Sequence, residues 1–583
     1  MKKKLQKTLI SYINFYLVSN ELKNNNFSYN IKSQILFSEF IIVVAFSFFL
    51  RILNFYSLLF YQKRFEFINI KKKNFIEKLL KITFSYLFTK VNELIFALYQ
   101  INYNKEKITF SRKKLTQKIL NCYDCVIIGS GPAGSVTALE LIKNKKKVLI
   151  IEEGGWSKVF FTKHPRDEFF FKWRNTGVST TVYPNHISYS SARCFGGGSE
   201  INSGLYHTPP KNFIDSLKKN FDIKDFSYDK ILSFSKKVSH FLKVKKSFLM
   251  SSSGCHKYFI QGMKNSNIKY EEVPRLVNYQ KNNILKKSMT NTYLKNYLKL
   301  NGHILLNTKV KKFFQTKNNW EIVINDRKII TAKNIILCCG SIQTNKILLR
   351  NGVKSTNKFT FHPMIKLLVK FKKKIHSKFD RDDIHPYQTN QFYPKFIIGK
   401  AASGQNFMKI SSYLDPSLFK DIEENHSKMS IYHITYSIGH GSIIKIPFFD
   451  KFISTYKIKK NNIDLIKKSL KIFCQIFFNT STENIYLLAK KNIRLTIDNY
   501  KSQINLIDKI SDLKFSSVHI MGGVNFGENN SCVCDSYGRV KGYKSLFIND
   551  SSLINSKLLK NPQGSVMAIA QRNAEHIVNY IGK

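Results

Sequence analysis

Acidic residues are scarce in this sequence: 38 Asp and Glu stand against 94 Lys and Arg, which gives a formal charge of +56 over 583 residues. An excess of this size can mark a nucleic-acid partner or an anionic membrane surface. No zinc-finger or RRM signature accompanies the basic residues, however. Lys, Asn, Ile, Phe and Tyr are enriched together while Arg is rare, as A/T-rich codons would produce. We therefore interpret most lysines as solvated surface and predict no nucleic-acid partner.

Cysteine lacks the patterns that build disulfides or metal sites. The nine cysteines are odd in number and irregularly spaced, which argues against a disulfide framework. Cys122 and Cys125 form a CxxC, but they straddle the start of a predicted buried strand, and no second pair completes a zinc site. Cys532 and Cys534 likewise have no partner pair. We predict no metal and a reducing, cytoplasmic compartment.

The N-terminal part lacks an uninterrupted apolar run long enough to cross a bilayer. Glu39 and Arg51 leave only residues 40–50 uncharged between them, short of the ~20 residues that a spanning helix needs. No small-residue cleavage site indicates a signal peptide. Within residues 35–61 we predict a buried or interfacial helix, with a membrane span as the alternative. The basic residues that follow would suit an anionic leaflet, peripherally or as an anchor; they are Lys63, Arg64, Lys71, Lys72 and Lys73.

The remaining pattern is that of a packed protein with two or more domains. Residues 1–120 read as helical segments, such as 75–86 and 91–99, between Lys/Asn-rich connections. From Tyr123 the pattern changes to strand, glycine turn and helix. Short apolar runs are typical of central parallel strands, and longer ones further along indicate antiparallel strands and a helix with a core face. The runs are residues 148–151 and 335–339, then 364–371, 431–438 and 463–477.

A glycine motif follows the first predicted strand. Residues 129–134 read Gly-Ser-Gly-Pro-Ala-Gly, which is GxGxxG between a strand and a helix. Glycines let the backbone approach a pyrophosphate, and the helix N-terminus offers N–H groups and a positive dipole end to its charge. Glu152 ends the second strand, where a carboxylate can accept hydrogen bonds from ribose hydroxyls. An acidic residue there argues against NADP, and these residues alone leave FAD and NAD open.

Two further segments carry the remaining signals. Residues 195–204 read Phe-Gly-Gly-Gly-Ser-Glu-Ile-Asn-Ser-Gly, and consecutive glycines let backbone lie against a flat ring system. Near the C-terminus, residues 517–523 read Ser-Val-His-Ile-Met-Gly-Gly, with His519 at the centre. Asn561 and Pro562 then give the pattern of an N-cap followed by the first helical position.

Together these segments resemble the glucose–methanol–choline (GMC) oxidoreductases, and the triple glycine is similar to the long-chain alcohol and sterol oxidase branches of that family. The resemblance implies a Rossmann-like α/β domain that binds FAD, an antiparallel-sheet substrate domain and, here, a helical N-terminal extension. It places the extension at 1–120, the FAD domain at 121–352 and 512–583 with part of the substrate region near 205–285, and the substrate domain at 353–511. The residues that it assigns to the cofactor are Gly129, Gly131, Ala133, Gly134, Glu152, Gly196, Gly197, Gly198, Ser199, Asn202, Val310, Gly340, Asp550 and Gln563.

The resemblance also implies the chemistry. His519 would take the proton of an alcohol while the carbinol hydrogen leaves as hydride to flavin N5, and Asn561 would hold the substrate oxygen. Imidazole suits the base role because its reference pKa of ~6.5 lies near working pH. His362 and His186 are interpreted as structural. The third helical residue of the family pattern is frequently Thr, and Gln563 departs from it.

Several alternatives stay open. A flavin-bound lyase of the same family, an NAD-dependent dehydrogenase and a degenerate binding protein are the rivals. The glycine signature favours an apolar or lipid-like alcohol, with a sugar as the competitor. The electron acceptor, whether oxygen, a quinone or a protein, is not indicated.

Overall fold

The structure is a computed structural model. It describes residues 1, 3–19, 31–32, 35, 40–84, 87–88, 91–92, 94–95, 98, 119–157, 165–246, 254–280, 283–325, 328–375, 386–404, 408–409, 415–447, 450–555 and 558–582. The helices are α1 (Lys3–Ser19), α2 (Phe40–Tyr61), α3 (Ile70–Thr83), α4 (Pro132–Lys143), α5 (Pro165–Lys172), α6 (Lys211–Phe221), α7 (Tyr228–Phe241), α8 (Gly254–Asn265), α9 (Tyr293–Lys299), α10 (Ser341–Arg350), α11 (Pro416–Asn425), α12 (Ile463–Phe478), α13 (Tyr500–Asn505) and α14 (Gln563–Gly582).

The strands are β1 (Cys122–Ile128), β2 (Val148–Ile151), β3 (Ile187–Tyr189), β4 (Tyr270–Glu272), β5 (Val277–Gln280), β6 (Asn283–Lys286), β7 (His303–Leu305), β8 (Val310–Gln315), β9 (Trp320–Ile324), β10 (Lys328–Leu337), β11 (Lys358–Phe361), β12 (Met364–Phe371), β13 (Tyr387–Thr389), β14 (Phe396–Lys400), β15 (Met429–Tyr436), β16 (His440–Lys445), β17 (Phe452–Lys457), β18 (Thr482–Leu487), β19 (Ile493–Leu495), β20 (Phe515–Ser517), β21 (Ile520–Met521) and β22 (Leu546–Ile548).

A mixed sheet forms the first layer, in the order β7-β2-β1-β10-β9-β8. β7, β2, β1 and β10 are parallel, and β22 joins β10 in parallel at Ile335–Leu337. The earlier part of β10 pairs instead with antiparallel β9. Apolar clusters cover both faces of the sheet, so its central strands are continuous buried runs. The parallel strands predicted at 148–151 and 335–339 are confirmed.

Two antiparallel sheets form the second part. The large one has the order β19-β18-β12-β15-β14-β13-β4, with β20 beside β12, and the small one has the order β17-β16-β11-β21. The strands predicted at 364–371 and 431–438 are β12 and β15, and both are confirmed. α12 buries Leu470, Phe473 and Phe477 in the same core, so its predicted core face is confirmed as well.

The N-terminal helices share a core of their own. α1 and α2 pack through residues such as Tyr12, Phe49 and Leu53, and Trp173 joins that cluster from the rest of the chain. Of the segments predicted as helical, 75–86 is helical to Thr83, whereas most of 91–99 lies outside the described residues. One helix among the described residues, Ile42–Tyr61, is long and apolar enough to cross a membrane, and one third of its most apolar window is buried inside the protein.

The end of the chain folds back onto its first βαβ unit. α14 packs against α4 and α7. Asn549, just after β22, donates from Nδ2 to Thr137 Oγ1 of α4 at 2.9 Å, in a buried bond across 412 positions of sequence. The C-terminal segments are thereby brought to the carboxyl edge of β1 and β10.

Candidate active site

A tight glycine turn joins β1 to α4 at that edge. Gly129 has a φ of +106°, and a Cβ there would lie 2.3 Å from the carbonyl oxygen of Cys338. Only glycine fits both conditions. Gly131 caps α4 and Pro132 follows it, so the first N–H groups of the helix face the space beyond the strand ends. The turn and helix dictated by the GxGxxG motif therefore form a cradle for a phosphate-bearing ligand.

Glu152 closes one side of this cradle at the end of β2. Its carboxylate accepts hydrogen bonds from Ser130 N–H (3.1 Å), Ser130 Oγ (2.7 Å) and Gly154 N–H (2.8 Å). Burial raises the pKa of this carboxyl group. The Glu152 carbonyl accepts from Thr308 N–H at 2.9 Å, which brings Val310, the first residue of β8, to the same end of the site.

The triple-glycine loop packs directly on the cradle. A Cβ at Gly197 would lie 2.6 Å from Gly131 Cα, and Gly196 N–H donates to Ser130 Oγ at 3.1 Å. Ser199 holds the loop from within, because its Oγ donates to the Gly196 carbonyl (2.8 Å) and accepts from Met289 N–H (3.0 Å).

Asp550 and Gln563 connect the C-terminal segments to these loops. The buried Asp550 carboxylate accepts from Gly340 N–H (2.8 Å), Thr344 Oγ1 (2.5 Å) and both N–H and Oγ of Ser552 (2.8 and 2.5 Å). All these donors belong to the protein, so Asp550 positions the Gly340 turn. Gln563 Oε1 accepts from Asn202 Nδ2 at 2.6 Å, which ties the last helix to the triple-glycine loop.

His519 and Asn561 meet beside that junction. His519 lies between β20 and β21, and its Nε2 is 3.3 Å from Asn561 Nδ2. α14 begins at Gln563, and Val566 N–H donates to the Pro562 carbonyl, so the helix starts one residue later than the sequence predicts. The Asn561 amide is therefore turned to the imidazole instead of capping the helix.

His362 fixes the orientation of His519, although the sequence gives it only a structural role. The His362 Nε2 hydrogen-bonds to the Leu558 carbonyl, which can only accept. Nε2 of His362 must therefore carry a proton, and in a neutral ring its Nδ1 is an acceptor. That Nδ1 lies 3.0 Å from His519 Nδ1, which must be the donor. Nε2 of His519 is then left as a lone pair facing Asn561.

The electrostatics keep both rings neutral. Burial lowers the pKa of His362 to about 4. Burial, followed by the neighbouring His362, His433 and His207, lowers the pKa of His519 well below 6.5. Both imidazoles are uncharged at neutral pH, and His519 Nε2 is available as a proton acceptor.

A polar wall that sequence reasoning missed also faces this pair. Glu271 forms an ion pair with Lys560, and His207 Nε2 lies 3.7 Å from the Glu271 Oε1. Although burial opposes it, contacts with His207 and Lys560 lower the pKa of Glu271 to about 2. The signal that could have found this wall is a single polar residue inside an otherwise apolar strand, as at Lys366 in β12 or His433 in β15.

The site fits a flavin dinucleotide. A Cβ built on Gly198 or Gly340 would meet no atom within 4 Å, so both glycines border open space between the cradle and the catalytic pair. Residues that would hold the pyrophosphate and ribose, Gly131 and Glu152, lie at one end of it, and Asn202 lies with the last helix at the other.

Comparison with known proteins decides the family. Models of the N- and C-terminal parts of GMC oxidoreductases match residues 123–367 and 451–570, more than half of the chain. The chain belongs to the GMC oxidoreductase family. It is thus an FAD-dependent oxidoreductase, and the NAD-dependent alternative is excluded.

Other GMC oxidoreductases resemble it over varying lengths. An uncharacterized GMC-type oxidoreductase of Sinorhizobium fredii is 24% identical over 78% of this chain and 95% of its own. A pyranose dehydrogenase of Agaricus campestris is 28% identical over 40% of this chain and 47% of its own. A long-chain-alcohol oxidase of Arabidopsis thaliana is 23% identical over 42% of this chain and 36% of its own.

Solved structures confirm the GMC fold. The crystal structure of pyridoxine 4-oxidase from Mesorbium loti has a TM-score of 0.60 at 15% identity and covers 78% of this chain and 99% of its own. A variant of Aspergillus oryzae formate oxidase, a protein with modified FAD, has a TM-score of 0.59 at 13% identity and covers 79% of this chain and 99% of its own. The α/β architecture with an antiparallel sheet and N-terminal helices, expected from the sequence, is confirmed.

Proposed function

We propose that this GMC oxidoreductase oxidises the carbinol carbon of an alcohol, with Nε2 of His519 taking the hydroxyl proton. The observation that carries the proposal is the hydrogen-bond chain from the Leu558 carbonyl through His362 to His519, which leaves Nε2 as the unprotonated atom. When bound, FAD supplies the two-electron acceptor for the hydrogen that leaves the carbon with its electron pair.

The protein's own groups account for the proton. An alcohol hydroxyl that enters between His519 and Asn561 would donate to the Nε2 lone pair and accept from Asn561 Nδ2, replacing the 3.3 Å contact between the two side chains. Proton transfer to Nε2 makes an imidazolium, whose Nδ1–H stays bonded to the neutral His362. Burial keeps water from competing for the same atoms.

The test is anaerobic reduction of the bound flavin by a panel of alcohols, followed by its absorbance. We expect His519→Ala to retain the yellow cofactor and to lose at least ~10²-fold in the reduction rate. His186→Ala is the matched control, since His186 lies outside the site and bonds to the Thr181 carbonyl. Equal rates in His519→Ala and the parent would remove His519 from its role. Flavin that no alcohol bleaches would favour the lyase alternative.

A further inference from the structure

A row of polar residues crosses one face of the large antiparallel sheet. Lys366 of β12 pairs with His433 of β15, His433 pairs with Gly399 of β14, Gly399 pairs with Gln388 of β13, and Gln388 pairs with Glu271 of β4. Directly paired residues point to the same face of a sheet, with Cβ atoms ~5 Å apart. The five positions, named here the polar row, therefore line a single surface.

The polar row faces the catalytic pair. At one end Glu271 binds Lys560, the residue before Asn561, and lies next to His207. Further along, His433 is close enough to His519 to lower the pKa of its imidazole. A Cβ on Gly399 would lie 3.2 Å from His433 Nε2, so the absence of a side chain there makes room for this ring.

Two groups of the polar row have no protein partner among the described residues. Lys366 makes no hydrogen bond or ion pair there, whereas Lys370 on the same strand binds Asp421 (2.8 Å) and Glu483 (3.2 Å). Burial lowers the pKa of the Lys366 ammonium. Gln388 is 4% exposed, and its Oε1 is buried without a donor. Such groups are costly unless a ligand satisfies them.

We propose that the alcohol substrate carries an anionic group, a carboxylate or a phosphate, that binds the ammonium of Lys366 while Gln388 Oε1 accepts from a hydroxyl. The inference rests on the proposed function, which places the reacting hydroxyl at His519. An apolar alcohol, favoured by the triple-glycine signature, would leave both groups without a partner. A charge-assisted hydrogen bond supplies the recognition.

A binding experiment on the oxidised holoenzyme tests this without turnover. Acetate, inorganic phosphate and neutral acetamide are titrated at constant ionic strength, and the visible spectrum of the flavin reports binding. We expect an anion to bind more tightly than acetamide, Lys366→Gln to weaken its binding about 10- to 100-fold, and Lys366→Arg to retain it. Lys372→Gln, a change at an exposed lysine just after β12, is the control for net charge.

The outcomes separate the two proposals. Anions that bind no better than acetamide, or equally well to Lys366→Gln, would overturn the anionic substrate whatever the enzyme oxidises. Flavin reduction by glycerate and glycerol 3-phosphate against glycerol then distinguishes carboxylate from phosphate. Tight anion binding with no reduction by any alcohol would count against the oxidation and leave the binding site standing.

A second surface, independent of the first, lies on the N-terminal helices. Eleven large apolar side chains between α2 and the end of α3 are 36% to 80% exposed; they are Val44, Phe48, Phe55, Leu58, Leu59, Phe60, Phe67, Ile70, Phe75, Ile82 and Phe84. The rings of Phe60 and Phe75 touch edge to face at 5.4 Å, so the two helices present one continuous surface. We call it the apolar surface, and its extent is unusual for a protein face in water.

The arrangement of α2 fits a helix that lies on a bilayer. Its opposite face is buried, as at Phe49 and Leu53, so the helix is bound lengthwise to the protein. Arg51 is exposed within the same stripe as Phe48 and Phe55, and a spanning helix would place this charge near the bilayer centre at a cost of about 3 kcal/mol.

Charge identifies the kind of bilayer. Exposed lysines border the apolar surface, and Glu66 and Glu77 are the acidic residues between Phe40 and Phe84; the lysines are Lys63, Lys71, Lys72, Lys78 and Lys81. We propose that the apolar surface docks in the plane of a membrane leaflet rich in anionic phospholipid.

Vesicle co-sedimentation of the full chain tests this docking. We expect binding to vesicles of phosphatidylcholine with phosphatidylglycerol, about 10-fold weaker binding to phosphatidylcholine alone, and release by high salt. Phe55→Ser with Leu59→Ser should abolish it, whereas Phe314→Ser with Ile329→Ser, at exposed apolar residues elsewhere, should not. Equal binding of both double variants, or a dimer through this surface with no vesicle binding, would overturn the proposal.

Discussion

At the scale of single residues, the site depends on where two protons sit. The Leu558 carbonyl sets the tautomer of His362, and His362 sets that of His519. A backbone acceptor therefore determines which imidazole nitrogen meets the substrate. Asn561 completes the arrangement by directing a donor to the same point.

The pH dependence of flavin reduction follows from this state. His519 accepts a proton only when neutral, and burial with its histidine neighbours places its pKa well below 6.5. The protonated fraction grows as the pH falls through that pKa, so the rate should be flat above pH 6.5 and fall on the acid side. Stopped-flow reduction from about pH 5 to about pH 9 measures it. A rate that keeps rising above neutrality would contradict the assignment.

His362 acts as a positioning residue, and its removal should change the pH profile as well as the rate. His362→Ala removes the acceptor for His519 Nδ1–H, so we expect reduction to slow by about 10-fold or more. Because His362 also lowers the pKa of His519, its loss should move the acid limb to higher pH. His362→Gln, whose amide oxygen can accept the same bond, should restore part of the rate. A slower enzyme with an unmoved acid limb would indicate a purely structural role.

Some of this site could be predicted from sequence and some could not. His519 and Asn561 were found because each lies in a local motif, and the structure brings them together. His362 was assigned a structural role because a histidine before a proline carries no local sign of its partner. The polar row was missed because strand register, which aligns Lys366 with His433, is decided by tertiary pairing.

At the scale of elements, the strands and helices with strong local patterns were predicted well. β2, β12, β15 and α12 have the positions expected from their apolar runs. The start of α14 was placed one residue early, because the Asn561 side chain binds His519 in preference to capping the helix. Local capping rules cannot anticipate a competing tertiary partner.

The glycines of the loops should separate folding from cofactor binding. A Cβ on Gly134 would lie 2.1 Å from the Gly129 carbonyl oxygen, whereas one on Gly198 would project into open space. We expect Gly134→Ala to lower the thermal midpoint of flavin-stripped protein, and Gly198→Val to leave that midpoint unchanged but reduce the FAD content at least about 10-fold. Differential scanning fluorimetry and the flavin absorbance measure the two quantities. Full FAD content in Gly198→Val would show that the open space is not the flavin cleft.

At the scale of the whole molecule, the fold is closed by contacts between distant parts of the chain. α14 returns to α4 and α7, and the Asn202–Gln563 bond joins segments 361 positions apart. No periodicity in the sequence encodes such a return, which came instead from the resemblance to a family. The division into domains at residues 120, 352 and 511 stays a prediction.

Arg572 offers the sharpest test of this closure. The buried guanidinium donates to three backbone carbonyls from outside α14, those of Lys224 (2.6 Å), Asp225 (3.2 Å) and Ser536 (2.8 Å). Truncation to alanine leaves these acceptors unsatisfied, so Arg572→Ala should lower the free energy of unfolding by about 3 kcal/mol. Arg539→Ala, at a partly exposed pair with Asp535, should cost less than about 1 kcal/mol. Urea denaturation followed by tryptophan fluorescence compares the two. Equal losses would mean that α14 is held by its apolar face alone.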